Sequence, residues 1–112
     1  MLLENKANCK AKEKSGRHAA YWAAWYGYLD TLKLLVEKDG DVIDLKGQNG
    51  ETPLIVASKW RRVDVCNFLV QEKNANVHLT DTFGVPALLH TEDPEIIEIL
   101  RSKGAKREMK RK

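Results

Sequence analysis

The feature that most constrains this chain is a sequence period of about 34 residues, marked by the even spacing of Gly16, Gly50 and Gly84. The first two glycines are followed by similar runs of small and apolar residues, at 18–24 and 52–58. A period of this length is typical of proteins that stack copies of one helical unit. Because such a unit cannot bury its apolar face alone, the period predicts that stability comes from packing between neighbouring units.

Each copy contains two predicted helices, of which the run of small residues is the first. The second helix is apolar at helical spacing in both full copies, at residues 29–36 and 63–70. Gly40 and Asn74, separated by the same period, are predicted to end these second helices in the left-handed conformation. A third copy, at 83–105, is about four residues shorter.

Local chemistry in the second copy supports this organisation. Thr52-Pro53 places a hydroxyl acceptor before a residue with a preset φ, which predicts a helix start. Asn49-Gly50 predicts a tight, finger-like turn with positive φ values. Small residues at 23–24 and 57–58 allow close approach of the helices. The apolar residues predicted to fill the seams between units are Leu32, Leu35, Phe68, Leu69, Ile96 and Leu100.

On these residues the chain resembles the ankyrin repeat family. The second copy matches best, with Gly50-Glu51-Thr52-Pro53-Leu54, Ala57, Val63-Asp64-Val65, Phe68-Leu69-Val70 and Ala75-Asn76-Val77-His78. The first copy keeps Ala23-Ala24, Gly27-Tyr28-Leu29-Asp30 and Leu34-Leu35-Val36-Glu37. The resemblance implies an all-α solenoid of stacked helix-turn-helix units with short β-hairpin-like fingers. It divides the chain into a half-repeat (1–12), three repeats (13–46, 47–80 and 81–106, one domain over 1–106) and a basic tail (107–112).

The chain also departs from the family pattern. His18 stands where the family has threonine, and Ile55 stands where it has histidine, so we expect the loss of hydrogen bonds worth about 1 kcal/mol each. In the third copy the proline is shifted by one place, to Pro86, and the turn at 91–94 is short. We therefore expect an atypical, marginally stable C-terminal unit.

Length and charge exclude several classes. At 112 residues the chain fits one small domain, and its longest uncharged stretch, 18–29, is too short to span a membrane. The N-terminus lacks an apolar signal region, so we expect an intracellular protein. The net charge of +3 comes from the tail, because six cations and one acid lie in 103–112. The slightly acidic remainder disfavours nucleic acid as a partner.

No chemical motif predicts catalysis. The acidic loop 39–44 lacks an oxygen ligand at Ile43 and a glutamate at Gly50, so it does not match an EF-hand. The histidines, His18, His78 and His90, are too scattered for a metal-ligand set. Cys9 and Cys66 are interpreted as core thiols. Since phosphate-binding glycine loops and nucleophile motifs are also missing, we expect no enzyme, cofactor, metal or small-molecule substrate.

Aromatic residues supply the candidate binding surface. The group Tyr21, Trp22, Trp25, Tyr26 and Trp60 contains all three tryptophans of the chain. The resemblance places Trp25-Tyr26 and Lys59-Trp60 at the end of the first helix of each unit, facing the concave groove that family members use for protein partners. The alternative is that the rings pack between units, above all Tyr21 and Trp22. The predicted partner-binding residues are Arg17, Trp25, Tyr26, Gln48, Asn49, Glu51, Lys59 and Trp60.

These features favour a non-catalytic protein–protein interaction module. The alternative is a regulatory or inhibitory subunit acting on an enzyme or a transcription factor, and an unrecognised enzyme is the third hypothesis. The basic tail resembles a nuclear import signal or an anionic-surface anchor, or is a solvated chain end. Because the chain begins inside a repeat, its uncovered N-terminal seam is a candidate surface for self-association.

Overall fold

The structure, a computed structural model, describes residues 18–105. This part contains five α-helices: α1 Ala19–Tyr26, α2 Leu29–Lys38, α3 Pro53–Lys59, α4 Val63–Asn67 and α5 Pro94–Arg101. The α4 helix continues in the wider π geometry through Phe68–Glu72, and 3₁₀ turns lie at Gly40–Asp44, Gln48–Gly50 and Ala87–His90. The predicted half-repeat 1–12, Arg17 and the tail 107–112 lie outside the described residues.

The helices pair and stack as the period predicts. Helix α1 packs against α2 within the first unit and against α3 of the second. Helix α3 packs in turn against α4 and against the 3₁₀ turn Ala87–His90, which replaces the first helix of the third unit. An inner layer of α1, α3 and this turn therefore lies against an outer layer of α2, α4 and α5. All six predicted seam residues are buried, which confirms them: Leu32, Leu35, Phe68, Leu69, Ile96 and Leu100.

The fingers connect the units but form no extended strands within residues 18–105. The third finger is closed by a single antiparallel bridge between Thr80 and Pro86. At the second finger, Asn49 and Gly50 have φ values of 58° and 72°, as predicted for a tight turn. The Asn49 carbonyl accepts a hydrogen bond from the Thr82 amide (2.9 Å), so adjacent fingers are joined through their backbones.

Different side chains cap the N-termini of helices α1 and α3. Thr52 Oγ1 accepts from the Ile55 amide (3.2 Å), as predicted. At the equivalent position His18 Nδ1 accepts from the Tyr21 amide (3.2 Å), which leaves the ring proton on Nε2 to bond the Leu45 carbonyl (3.1 Å). The expected loss of hydrogen bonds at His18 is therefore wrong, because the imidazole both caps the helix and ties it to the finger.

Three helices end with a residue in the left-handed conformation, followed by an amide that bonds five residues back. These residues are Gly27, Arg61 and Gly104, with φ values of 75°, 60° and 93°. Asn74 also has a positive φ (54°), as predicted. The same prediction is wrong for Gly40, which begins a 3₁₀ turn. Helix α2 ends at Lys38 because Asp39 is extended and its carboxylate accepts from the Asp41 amide (3.0 Å).

Arg61 occupies the position that glycine occupies in the first unit, since Gly27 lies one full period earlier in the sequence. A side chain with a Cβ is strained in the left-handed region, whereas glycine is not. We expect Arg61→Gly to raise the free energy of unfolding by about 0.5–1 kcal/mol. Urea denaturation monitored by circular dichroism measures this change. A lower stability for the variant would show that the arginine side chain contributes packing that outweighs the backbone strain.

The third unit is held by a buried carboxylate. Asp81 Oδ1 accepts from the amides of Phe83 (2.9 Å) and Val85 (3.0 Å), and Oδ2 accepts from His90 Nε2 (3.0 Å). Burial by itself raises the pKa of this carboxyl, but the donors of Val85, His90 and Phe83 together lower it below its usual value. The ionised carboxylate therefore fastens the finger to the turn Ala87–His90.

The lowered pKa of Asp81 predicts acid sensitivity. Because this pKa is lower in the folded than in the unfolded chain, Asp81 stabilises the fold above its unfolded pKa of about 3.9. That contribution is lost as the pH falls through the folded pKa. We expect Asp81→Asn to lose less stability than the native chain between about pH 5 and pH 3, measured by urea denaturation in pH steps. Parallel pH profiles for the two proteins would contradict this assignment.

Candidate protein-binding surface

Five aromatic rings form a continuous surface on the inner helix layer, which we call the aromatic ladder: Trp22, Trp25, Tyr26, Tyr28 and Trp60. Trp22 stacks on Tyr26 (centroids 5.7 Å apart), and Tyr26 stacks on Tyr28 (5.4 Å). Trp25 contacts Trp22 (5.5 Å) and stacks on Trp60 of the next unit (4.7 Å). The ladder therefore crosses the boundary between two units.

Helix geometry and the period together place these rings side by side. Residues 22, 25 and 26 are three and four positions apart and lie on one face of α1. Tyr28 follows the left-handed turn at Gly27, which returns the chain beside Tyr26. Trp60 directly follows α3, at the position equivalent to Tyr26 and one period further along the chain. Because α1 stacks on α3, the Trp60 ring then lies against the Trp25 ring.

The aromatic side chains differ in how much of each is exposed to solvent. Tyr26, Tyr28 and Trp60 are 51%, 56% and 43% exposed. Trp22 and Trp25 are half-buried beneath them, and Tyr21 is in the core. Packing between units, the alternative interpretation, is therefore correct for Tyr21, whereas Tyr26 and Trp60 present large apolar area to solvent. Tyr28 was not among the predicted residues, although its position directly after Gly27 in the same turn was visible in the sequence.

Glu51, one of the predicted partner-binding residues, is only 3% exposed. Its Oε2 accepts from Lys59 Nζ (2.7 Å), and its Oε1 accepts from the Tyr21 hydroxyl (3.4 Å), which also approaches Gln48 Oε1 (3.5 Å). These contacts join the first and second units below the ladder. Glu51 therefore links the two units through buried contacts, while the side chain of Lys59 remains a third exposed.

Two further predicted partner-binding residues lie in the second finger. Asn49 is exposed at the tip of the second finger, and Gln48 beside it is half-buried. Arg62, which was not among the predicted residues, donates from Nε to the Trp25 carbonyl (2.8 Å) and lies along Gly27. Arg62 thus fastens the second unit to the end of α1. Arg17 is not among the described residues.

The titratable groups outside the ladder have structural roles. Cys66 is fully buried with its Sγ 3.7 Å from Ser58 Oγ, and burial raises the pKa of its thiol to about 12, so the thiol is neutral. His18 caps α1, and His90 bonds Asp81. Among residues 18–105, no three histidine, cysteine or acidic side chains lie close enough together to hold a metal ion. In the same range no helix is long and apolar enough to cross a membrane.

The paired helices, the fingers and the sequence period together define a class of protein. The family model described as "Ankyrin repeats (3 copies)" matches residues 1–81, and this chain belongs to the ankyrin repeat family. The match ends at Asp81, where the shortened third unit begins. Ankyrin repeats are protein-interaction modules.

Particular relatives can be named as well. The chain is 32% identical over 104 residues to an ankyrin repeat-containing protein of Schizosaccharomyces pombe, covering 89% of this chain and 48% of that protein. It is also 32% identical over 66 residues to the NF-kappa-B inhibitor cactus of Drosophila yakuba, covering 59% of this chain and 14% of cactus. The ankyrin repeat domain of Bcl-3, described as a member of the IkappaB protein family, has a similar structure, with a TM-score of 0.78 and 25% identity. That similarity covers 88% of this chain and 42% of the Bcl-3 chain. This chain therefore spans less than half of each of these proteins.

Proposed function

We propose that this chain is a non-catalytic binding module whose partner protein docks on the aromatic ladder and the adjacent finger tip at Asn49. The observation that carries this proposal is the exposure of Tyr26 and Trp60 at equivalent positions of two stacked units. Clusters of exposed apolar side chains are rare on isolated domains and are typical of interaction sites.

The physical properties of the rings support a binding role. Tryptophan and tyrosine present large, rigid contact areas and lose little side-chain entropy on binding, which makes them dominant contributors at protein interfaces. Trp22 and Trp25, packed beneath the exposed rings, hold them in place before a partner arrives. Such preorganisation lowers the entropic cost of association.

The alternative function, a regulatory or inhibitory subunit, is supported by the name of one relative. One relative is named an inhibitor of NF-kappa-B, which suggests a module that acts by occluding another protein. A regulator of this type would use the same surface and differ only in the consequence of binding. We further propose an intracellular location, with the basic tail 107–112 as an import signal or anchor.

Footprinting tests the proposed surface. The immobilised chain captures a partner from cell extract, and hydroxyl-radical oxidation is then compared with and without the identified partner. We expect protection of Tyr26, Tyr28 and Trp60. Leu34, which is 50% exposed on the outer helix α2, is the internal control and should remain equally reactive. Protection of Leu34 without protection of the three rings would assign binding to the outer helix layer.

A further inference from the structure

The stretches of chain that form the aromatic ladder contain no acidic residue. Residues 18–29 and 52–63 have Lys59, Arg61 and Arg62 as their only charged side chains, apart from histidine. The adjacent carboxylate, Glu51, is buried and bonded to Lys59. Within these two stretches the charge is therefore positive, and it is carried by the guanidinium groups of Arg61 and Arg62.

The third unit has the opposite charge at the equivalent place. Residues 86–97 contain Glu92, Asp93 and Glu95 and no lysine or arginine. The Asp93 carboxylate accepts from the amides of Glu95 (2.9 Å) and Ile96 (3.4 Å), as the cap of α5. The charge of these equivalent stretches thus changes sign from the second unit to the third, which favours one orientation of a charged segment bound across them.

Arg61 gives an independent reason to assign a binding role to this charge. It is held at φ 60°, where the first unit has Gly27 at φ 75°, so the fold retains a strained arginine at a position suited to glycine. Within the described residues its guanidinium makes no hydrogen bond or ion pair. Strained residues whose side chains make no hydrogen bond or ion pair in the free protein are characteristic of functional sites.

We propose that the partner segment docking on the ladder is acidic and carries aromatic or aliphatic side chains among its carboxylates. This inference rests on the proposed function of the ladder. The apolar side chains of the segment would pack against Tyr26, Tyr28 and Trp60. Its carboxylates would lie over Arg61 and point away from the acidic third unit. The guanidinium of Arg61 would then form in the complex the ion pair that it lacks in the free chain.

The three tryptophans all lie in the ladder, so their fluorescence reports binding at this surface directly. The probe is a random copolymer of glutamate and tyrosine, which contains no tryptophan and is invisible when only indole is excited. Comparison probes are a copolymer of lysine and tyrosine, a glutamate homopolymer and single-stranded oligothymidylate. We expect the glutamate–tyrosine copolymer to bind at least about tenfold tighter than each of the others, a difference of about 1.4 kcal/mol.

Two variants test the contribution of charge. Arg61→Gly is expected to weaken binding of the glutamate–tyrosine copolymer about two- to fivefold at low salt, and less as salt rises. Lys38→Ala removes one exposed cation from the outer helix α2 and should leave binding unchanged. Since Arg61→Gly is also expected to stabilise the fold, weaker binding by a more stable protein cannot result from unfolding.

The alternative outcomes overturn different parts of the proposal. Equal binding of the lysine–tyrosine copolymer would overturn the acidic partner while leaving the ladder as a docking surface. Tighter binding of oligothymidylate would make the ladder a stacking platform for nucleic acid bases. Unchanged copolymer binding by Trp60→Ala would remove the ladder itself, and with it the proposed function. A fluorescence signal that responds to none of the probes would likewise overturn the proposed acidic segment.

Discussion

Gly50→Val is expected to lower the free energy of unfolding by about 2 kcal/mol or more. Gly50 has a φ of 72°, which a β-branched side chain tolerates poorly. A Cβ there would lie 2.8 Å from the Thr82 amide nitrogen, which is closer than real contacts allow. The substitution would therefore push the third finger away and break the bond from Thr82 to the Asn49 carbonyl. Chemical denaturation measures the loss.

Two other glycines provide graded controls for this prediction. Gly40 has no neighbour within 4 Å and no positive φ, so Gly40→Val should change stability much less. Gly104→Ala should fall between the two, because Gly104 has a φ of 93° but an open environment, with His78 Nε2 at 3.9 Å. Equal losses for Gly40→Val and Gly50→Val would show that the contact between the second and third fingers contributes little to the fold.

Trp60→Ala is expected to weaken partner binding at least tenfold, the loss of about 2 kcal/mol typical of a ring at the centre of an interface. The ring is 43% exposed and has its own stacking contact with Trp25 (4.7 Å), so removing it should cost the fold only about 1 kcal/mol. Binding to the purified partner is measured by titration calorimetry, and stability by thermal denaturation.

The choice of residue matters for this experiment. Trp25→Ala is a less specific probe, because Trp25 is half-buried among the rings of Tyr21, Trp22 and Trp60 and its loss would also loosen the seam between units. Leu34→Ala, at an equally exposed apolar residue on the outer layer, is the matched control. If Leu34→Ala weakens binding and Trp60→Ala does not, the partner contacts the outer helices.

Several features of the fold follow from local sequence and the period alone. The start of α3 at Thr52-Pro53, the left-handed residues Asn49, Gly50 and Asn74, and the buried seam residues are all predicted correctly. Each depends on interactions within a few residues or on the repetition of one apolar pattern. These short-range preferences do not depend on the position of the unit in the stack. They can therefore be predicted from a single sequence.

Only the tertiary structure decides which side chains meet over long separations in the sequence. His18 caps α1 and reaches Leu45, and Arg62 bonds the Trp25 carbonyl, over separations of 27 and 37 residues. Glu51 reads as an exposed finger residue in the sequence, yet stacking buries it against Tyr21 and Lys59. The period by itself determined that the units stack and where their rings recur. Which of those rings remain exposed depends on the volume and hydrogen-bonding groups of the neighbouring unit, and local propensity contains no information about either.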